Sequence, residues 1–259
     1  MTQHSLVRES LFQTRQPVAL ITGSGAPRVG RVIAELFATR GYRVAVHANR
    51  SAAEAAAVAT RFETEFAGGH AVLGDLSDET QARRVVREAA ARWGRLDVVV
   101  NAAAIWNRKP LAASTARDVL EHFTANTLAT WVVCQEAGAI MAAQPAGGAI
   151  VNLGDWAVVR PYRDYAAYFP SKGAIPTLTR DFAVELSALH PSIRVNAVLP
   201  GPVMLPLDLP DEERAEAIAG TLVKREGTPQ NVADAVIALV ENDFITGVCL
   251  PVDGGRTLA

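Results

Sequence analysis

Val18-Ala19-Leu20-Ile21-Thr22 runs straight into Gly23-Ser24-Gly25-Ala26-Pro27-Arg28-Val29-Gly30, and Arg31 to Arg40 continues with helical spacing. A short apolar run, a glycine-rich turn and a helix, in that order, form a strand–turn–helix unit. Glycines let the backbone turn sharply and approach a bound group, and the helix N-terminus offers unpaired N–H groups and a positive dipole end. That chemistry suits the pyrophosphate of a dinucleotide. A glycine turn alone is weak evidence, because strand-to-helix turns use glycine for steric reasons; its place after the first strand strengthens it.

The pattern repeats along the chain. Strand-like runs follow at Arg43 to His47, His70 to Leu73, Leu96 to Asn101, Ala149 to Leu153, Ile193 to Val198 and Val248 to Val252. Ala-, Glu- and Arg-rich stretches of helical period separate them, as in Asp78 to Trp93, where Val85, Val86 and Ala89 share a face. Alternation of this kind predicts an α/β fold: one doubly wound, Rossmann-type parallel sheet of about seven strands with helices on both faces. The chain of 259 residues, 49% hydrophobic, is ample for a single core.

No linker, repeat or low-complexity tract divides residues 17–259. Residues 1–16 are polar, carry Arg8, Glu9 and Arg15, and lack the apolar core and cleavage site of a signal peptide. They read as a flexible arm with room for a short helical turn. Pro200, Pro202, Pro206 and Pro210 break the rhythm before Asp211-Glu212-Glu213, so residues 203–227 read as a substrate loop or lid.

A net charge of −2 with no basic stripe argues against nucleic acid, and no apolar run is long enough for a membrane span. Cys134 and Cys249 are the two cysteines. They read as reduced, buried thiols in a cytoplasmic protein, and the absence of a Cys/His cluster argues against a metal.

The second strand ends at His47-Ala48-Asn49-Arg50-Ser51. An NAD site places an acid here for the ribose 2′-hydroxyl, whereas this chain offers a guanidinium and a hydroxyl, which suit the 2′-phosphate of NADP. A solvated Arg50 with Ser51 as helix cap is the plain alternative, and Ser51 could do both. His47 reads as a local hydrogen-bonding group.

After the fifth strand come Asp155, Tyr165, Tyr168 and Lys172. Tyr168 and Lys172 are four apart, hence one turn apart on one helix face. An ammonium beside a phenol favours phenolate and should lower the tyrosine pKa, and the phenol can then pass a proton while nicotinamide gives hydride.

With these motifs in order, the chain resembles the short-chain dehydrogenase/reductase family from about Pro17 to its end. Within that family it is most similar to pteridine reductases and bacterial dihydromonapterin reductases. The resemblance implies NADPH as cofactor, held by Gly23, Ser24, Arg28, Val29, Gly30, Arg50, Ser51, Asp75, Leu76, Asn101, Ala103, Tyr168, Lys172, Pro200, Gly201 and Val203. It implies catalysis by Asp155, Tyr168 and Lys172, with Asn126 supporting a proton-relay water. It also implies a small-molecule substrate held by Arg28, Trp106, Asp155 and Tyr168, and a homotetramer built through the helix bearing Tyr168 and the helix before it.

Most of the family carries Ser thirteen residues before the tyrosine; this chain has Asp155, as pteridine reductases do. A carboxylate cannot donate to a developing alkoxide, but it suits a ring C=N that gains a proton or a substrate with N–H donors. Asp155 could also hold Tyr168 in a proton chain, or simply cap the turn that follows. Trp106 stands where that branch stacks an aromatic on the substrate; core packing is the competing reading.

The chain also departs from the pattern. The glycine turn is one residue longer than usual and must bulge. Asn101 is followed by Ala102-Ala103-Ala104, without the usual second Asn and Gly. A general carbonyl or alcohol oxidoreductase, and a non-catalytic NADP-binding sensor or scaffold, remain as alternatives; intact Tyr168 and Lys172 speak against the last.

Overall fold

A computed structural model of the chain describes residues 3–259. Seven strands form one parallel sheet: β1 (Val18–Ile21), β2 (Arg43–Ala48), β3 (Gly69–Leu73), β4 (Val98–Asn101), β5 (Gly148–Leu153), β6 (Ile193–Pro200) and β7 (Cys249–Val252), in the order β3-β2-β1-β4-β5-β6-β7. Every residue of β1, β4 and β5 is buried, because helices cover both faces, which is why these strands read as unbroken apolar runs.

The chain leaves β1 toward β2 and β3, then returns to lay β4 on the other side of β1. This reversal opens a crevice at the carboxyl ends of β1 and β4, where ligands bind in such sheets. The helices are α1 (Gln3–Phe12), α2 (Val29–Thr39), α3 (Ala52–Glu65), α4 (Glu79–Ala91), α5 (Ala116–His122), α6 (Ala129–Ala142), α7 (Phe169–Leu189), α8 (Asp211–Ala219) and α9 (Pro229–Glu241). A π-turn over Phe123–Leu128 joins α5 to α6. One face of the sheet packs on α2, α3 and α9 through Ile33, Phe37, Phe62 and Val236, the other on α4, α6 and α7 through Val85, Val133 and Leu186. Among the described residues no helix is long and apolar enough to cross a membrane. Cys134 is buried and Cys249 half-buried, and both are free.

The N-terminal segment corrects the expectation of a flexible arm. It carries α1, whose Phe12 is buried with its ring edge-on to Tyr42 at 6.3 Å. Arg8 lies over the same Tyr42 ring, and Arg95 Nη2 donates to Phe12 O at 2.7 Å. The polar composition concealed this because the contact is made by Phe12, the partly buried Leu11 and the guanidinium of Arg8 over the Tyr42 ring. Phe12→Ala should therefore cost roughly 3–5 kcal/mol, as deletion of a buried aromatic does. Urea unfolding of the two proteins checks this; an unchanged midpoint would mean the helix is only loosely attached.

Candidate active site

The crevice is built from the ends of β1 and β4. Thr22 N donates to Val100 O at 2.9 Å, and Thr22 Oγ1 accepts from Ala102 N at 2.9 Å and Ala103 N at 3.0 Å. Gly23 has φ +66°, and a Cβ there would lie 2.8 Å from Ala103 Cα. A Cβ on Gly30 would lie 2.9 Å from Gly23 O. Only glycine allows this close approach of turn, helix and strand. The N-cap of α2 is Arg28, whose side chain makes no capping bond, and Val29 and Gly30 open the helix. N–H groups of a first helical turn have no partner within the helix. The turn thus fits a dinucleotide pyrophosphate, with Gly23, Val29 and Gly30 as its framework.

The extra residue is absorbed where bulging was expected. Arg28 N donates to Ala26 O at 2.8 Å, closing a three-residue turn around Pro27. Arg31 then reaches back: Nε donates to Ser24 O at 2.8 Å and Nη2 donates to Gly25 O. Two expected cofactor contacts turn inward instead. Ser24 is buried, and its hydroxyl donates to Ile21 O at 2.7 Å while accepting from His47 N at 3.2 Å. Asn101 is buried with its amide donating to Asn152 Oδ1 at 2.9 Å, in a network with Cys134 and Thr179. Both side chains are spent on the fold because a buried polar group must find a partner.

At the end of β2, Arg50 is exposed and its side chain makes no hydrogen bond among the described residues. Ser51 occupies the N-cap position of α3 without making the capping bond, so its hydroxyl is left for another partner. At the end of β3, Asp75 is half-buried, with Oδ1 accepting from Ser77 N at 2.9 Å, and Leu76 is buried beside it. Beyond β6, Gly201 N donates to Val252 O at 3.0 Å, its Cα packs against Asp253, and Val203 bridges to Gly227. Pro200, Gly201 and Val203 therefore lead out of the sheet on the same carboxyl side.

The chemistry-bearing side chains converge. Tyr168 is the N-cap of α7 and is buried, and its hydroxyl donates to Asp155 Oδ2 at 2.7 Å. Asp155, just past β5, uses Oδ1 to accept from Ala157 N at 2.8 Å. The two readings of Asp155 are both realised: one oxygen caps the turn and the other holds the phenol. Lys172, one turn into α7, is buried and donates to Leu153 O at 2.7 Å.

The expected lowering of the Tyr168 pKa is corrected. Burial, then the charge of Asp155 and the hydrogen bond to it, hold the phenol well above the ordinary tyrosine value. Burial also raises Asp155 and brings Lys172 down to about 8, against the pull of Asp155. A phenol that donates to a carboxylate keeps its proton, since ionisation would set two negative charges together. Sequence spacing identified the phenol and the ammonium but could not show that the carboxylate lies nearer to the hydroxyl.

Around this centre lies an aromatic wall. Trp106, 39% exposed, stacks on Tyr165 with ring centres 4.9 Å apart and planes 8° apart. Tyr165 in turn meets Tyr168 edge-on at 6.3 Å, and Tyr162 meets Tyr165 at 5.1 Å. One face of Trp106 is thus already covered by protein. Asn126 is buried in the π-turn, and its side chain is committed to Ile105 N at 2.8 Å, Ile105 O at 3.0 Å and Ser171 Oγ at 3.0 Å. It contacts neither Tyr168 nor Lys172 through these bonds; it fixes the loop that carries Trp106 against α7. His122 assists, with Nε2 accepting from Asn107 N at 3.3 Å and its ring edge-on to Tyr168 at 5.9 Å. Arg108 of the same loop pairs with Glu213 of α8 at 3.0 Å and Asp164 at 3.3 Å. His122 and Arg108 carried no sequence signal for these roles.

The family model described as enoyl-(acyl carrier protein) reductase matches residues 26–257. A Streptomyces violaceoruber chain named as ketoacyl reductase 2 of the granaticin polyketide synthase is 35% identical over 249 residues, covering 93% of this chain and 96% of that one. The human 3-oxoacyl-[acyl-carrier-protein] reductase is 33% identical, covering 90% and 95%. Pteridine reductase 1 of Leishmania tarentolae is 31% identical, covering 93% and 96%. This chain belongs to the short-chain dehydrogenase/reductase family of oxidoreductases, whose members use nicotinamide cofactors.

Since burial sets Lys172 to ionise near about 8, its ammonium is present below that pH and is lost above it. The pH profile of kcat/KM for reduction should hold on the acid side and fall as pH rises through about 8. A profile flat to about pH 10, the ordinary lysine range, would contradict a role for the charge.

Proposed function

We propose that the protein is an NADPH-dependent reductase that delivers hydride to the C=N bond of a flat, pteridine-like heterocycle, with Tyr168 as proton donor. The observation that carries this reading is the 2.7 Å hydrogen bond from the Tyr168 hydroxyl to a carboxylate, Asp155, at the place where a hydroxyl would serve a carbonyl substrate. A bound reduced nicotinamide supplies the hydride. Tyr168 Oη gives its proton to the ring nitrogen, and the buried ammonium of Lys172 opposes the charge left behind. Asp155, whose two oxygens accept from Tyr168 and Ala157, is placed to accept N–H groups of the heterocycle once the phenol has given up its proton. Arg28, exposed at the mouth of the glycine turn, and the open face of Trp106 complete the substrate contacts.

NADP in preference to NAD is supported by exposed Arg50 and the free Ser51 hydroxyl at the end of β2. Residues 203–227 act as a lid: α8 is tethered across the mouth by the exposed Arg108–Glu213 pair, and exposed pairs of this kind contribute little and part easily. Exposed Trp131 on α6 and Val184 on α7 suit assembly as a homotetramer through those helices, in a cytoplasmic protein with two free thiols.

Reduction of a ketone with the same cofactor is the second reading. It is favoured by the ketoacyl and 3-oxoacyl reductases among the relatives.

NADPH oxidation across dihydropterins, dihydrofolate, quinones and simple ketones separates the two. Turnover of dihydropterins is expected, and turnover of ketones alone would refute the first reading. Tyr168→Phe should lower turnover by about 10²–10⁴-fold while dinucleotide binding persists. Arg50→Ala should weaken NADPH at least about tenfold more than NADH, the loss of a charge-assisted phosphate contact; equal losses, measured by binding titration, would count against the 2′-phosphate role.

A further inference from the structure

His47 is buried in β2, takes no part in the proton chemistry, and has every polar group engaged on the ends of three strands. Its backbone N–H donates to Ser24 Oγ at 3.2 Å, and its carbonyl accepts from Gly25 N at 3.0 Å. Its ring Nδ1 accepts from Gly23 N at 3.0 Å, and Nε2 lies 3.0 Å from Gly74 O. The tautomer follows from the partners. Gly23 N–H can only donate, so Nδ1 is bare, and Gly74 O can only accept, so Nε2 carries the hydrogen. Three consecutive residues of the glycine turn, 23 to 25, therefore hang from one side chain and its own backbone. The fourth bond ties that side chain to the turn that presents Asp75 and Leu76.

The hold answers a specific difficulty. The turn is one residue longer than the family pattern and rich in glycine, so it has many conformations to lose. A loop that must grip an anion with its own N–H groups binds more weakly when it is ordered only at the moment of binding. Gly23 is the pivot: its φ of +66° sets the direction of the residues that follow. Arg31 grips the opposite side of the turn through the carbonyls of Ser24 and Gly25, leaving Gly23 to His47.

We propose that His47 is a positioning residue for the dinucleotide, fixing Gly23 through the Nδ1 bond so that the lengthened turn stands ready for the pyrophosphate before cofactor arrives. The proposal rests on the reading of the glycine turn as a nicotinamide dinucleotide site. Protonation of Nδ1 would oppose one N–H with another. Burial keeps the imidazole below its ordinary pKa, against the hydrogen bond to Gly74 O and the charge of Asp75.

Two isosteres separate the bonds. In His47→Asn the amide oxygen lies where Nδ1 lies and can still accept from Gly23, whereas the bond to Gly74 is lost. In His47→Gln the amide nitrogen can still reach Gly74 O, but nothing accepts from Gly23. Dissociation constants for NADPH and NADP+ by calorimetry, with thermal unfolding in the absence of cofactor, supply the readouts. Both variants should unfold at lowered, similar temperatures. The Asn variant should bind within about threefold of the unmodified protein, and the Gln variant about tenfold more weakly for both redox forms, as expected for one hydrogen bond. Equal losses in the two variants, or undiminished binding by the Gln variant, would overturn the role of His47. An unmodified protein that binds neither NADPH nor NADH would defeat the dinucleotide reading along with it.

A measurement on the unmodified protein covers the case in which the variants do not fold. With ¹⁵N-histidine labelling, one ring should show the Nε2–H tautomer with a bare Nδ1, unchanged by addition of NADP+. A ring bearing hydrogen on Nδ1 at this position would overturn the proposal.

Discussion

The hydrogen bond from the Tyr168 hydroxyl to Asp155 sets the character of the whole site. A carboxylate largely withdrawn from water is costly unless its oxygens are paired. Asp155 meets that demand with two donors, the amide of Ala157 and the phenol of Tyr168. The pairing fixes the side chain and binds the end of β5 to the start of α7. It also bears on the protonation of the centre: burial first, and then Asp155, hold the hydrogen on the phenol, and burial moves Asp155 and Lys172 toward their neutral forms. A centre of this kind is charged with a proton before substrate enters. In a site with serine in place of Asp155, the group beside the phenol would be a donor, and the preferred substrate would be one that develops an oxyanion.

The rest of the fold holds two regions in register with that pair. On one side of the crevice, Thr22 joins β1 to the backbone after β4, and the glycine turn closes over it to within contact of Ala103. On the other side, the loop from Ala102 to Pro110 is held by Asn126 at Ile105, by His122 at Asn107 and by Arg108 at α8. The bonds of Asn126 and His122 are buried or half-buried, whereas the Arg108 pairs are half exposed. Rigidity is thus greatest next to the phenol and least at the outer rim, the gradient that suits an entrance which must open over a fixed centre.

The layout was legible from sequence because each of its signals is local. Unbroken apolar strands, the glycines at 23, 25 and 30, and the four-residue interval between Tyr168 and Lys172 all follow from short-range geometry. What was not legible depends on distant pairing. Ser24 and Asn101 sit at motif positions, yet their side chains face inward because β2 and β5 bring His47 and Asn152 to meet them. The direction of the Tyr168 pKa turned first on burial and then on the charge of Asp155 at the hydroxyl, neither of which residue spacing alone reveals. The attachment of α1 rests on Phe12 finding Tyr42, a contact without any periodic signature in a polar segment. His47 and Arg31 were visible as letters, but their grip on the turn required the turn's path.

The state of the Tyr168 phenol is the point on which the account turns, and it can be read optically. Ultraviolet difference titration of the protein against its Tyr168→Phe variant isolates the absorbance of that single phenolate. With the phenol held by burial and by Asp155 above the ordinary tyrosine value, the two titrations should coincide between about pH 7 and 10. A phenolate signal belonging to Tyr168 and rising near neutral pH would contradict the account.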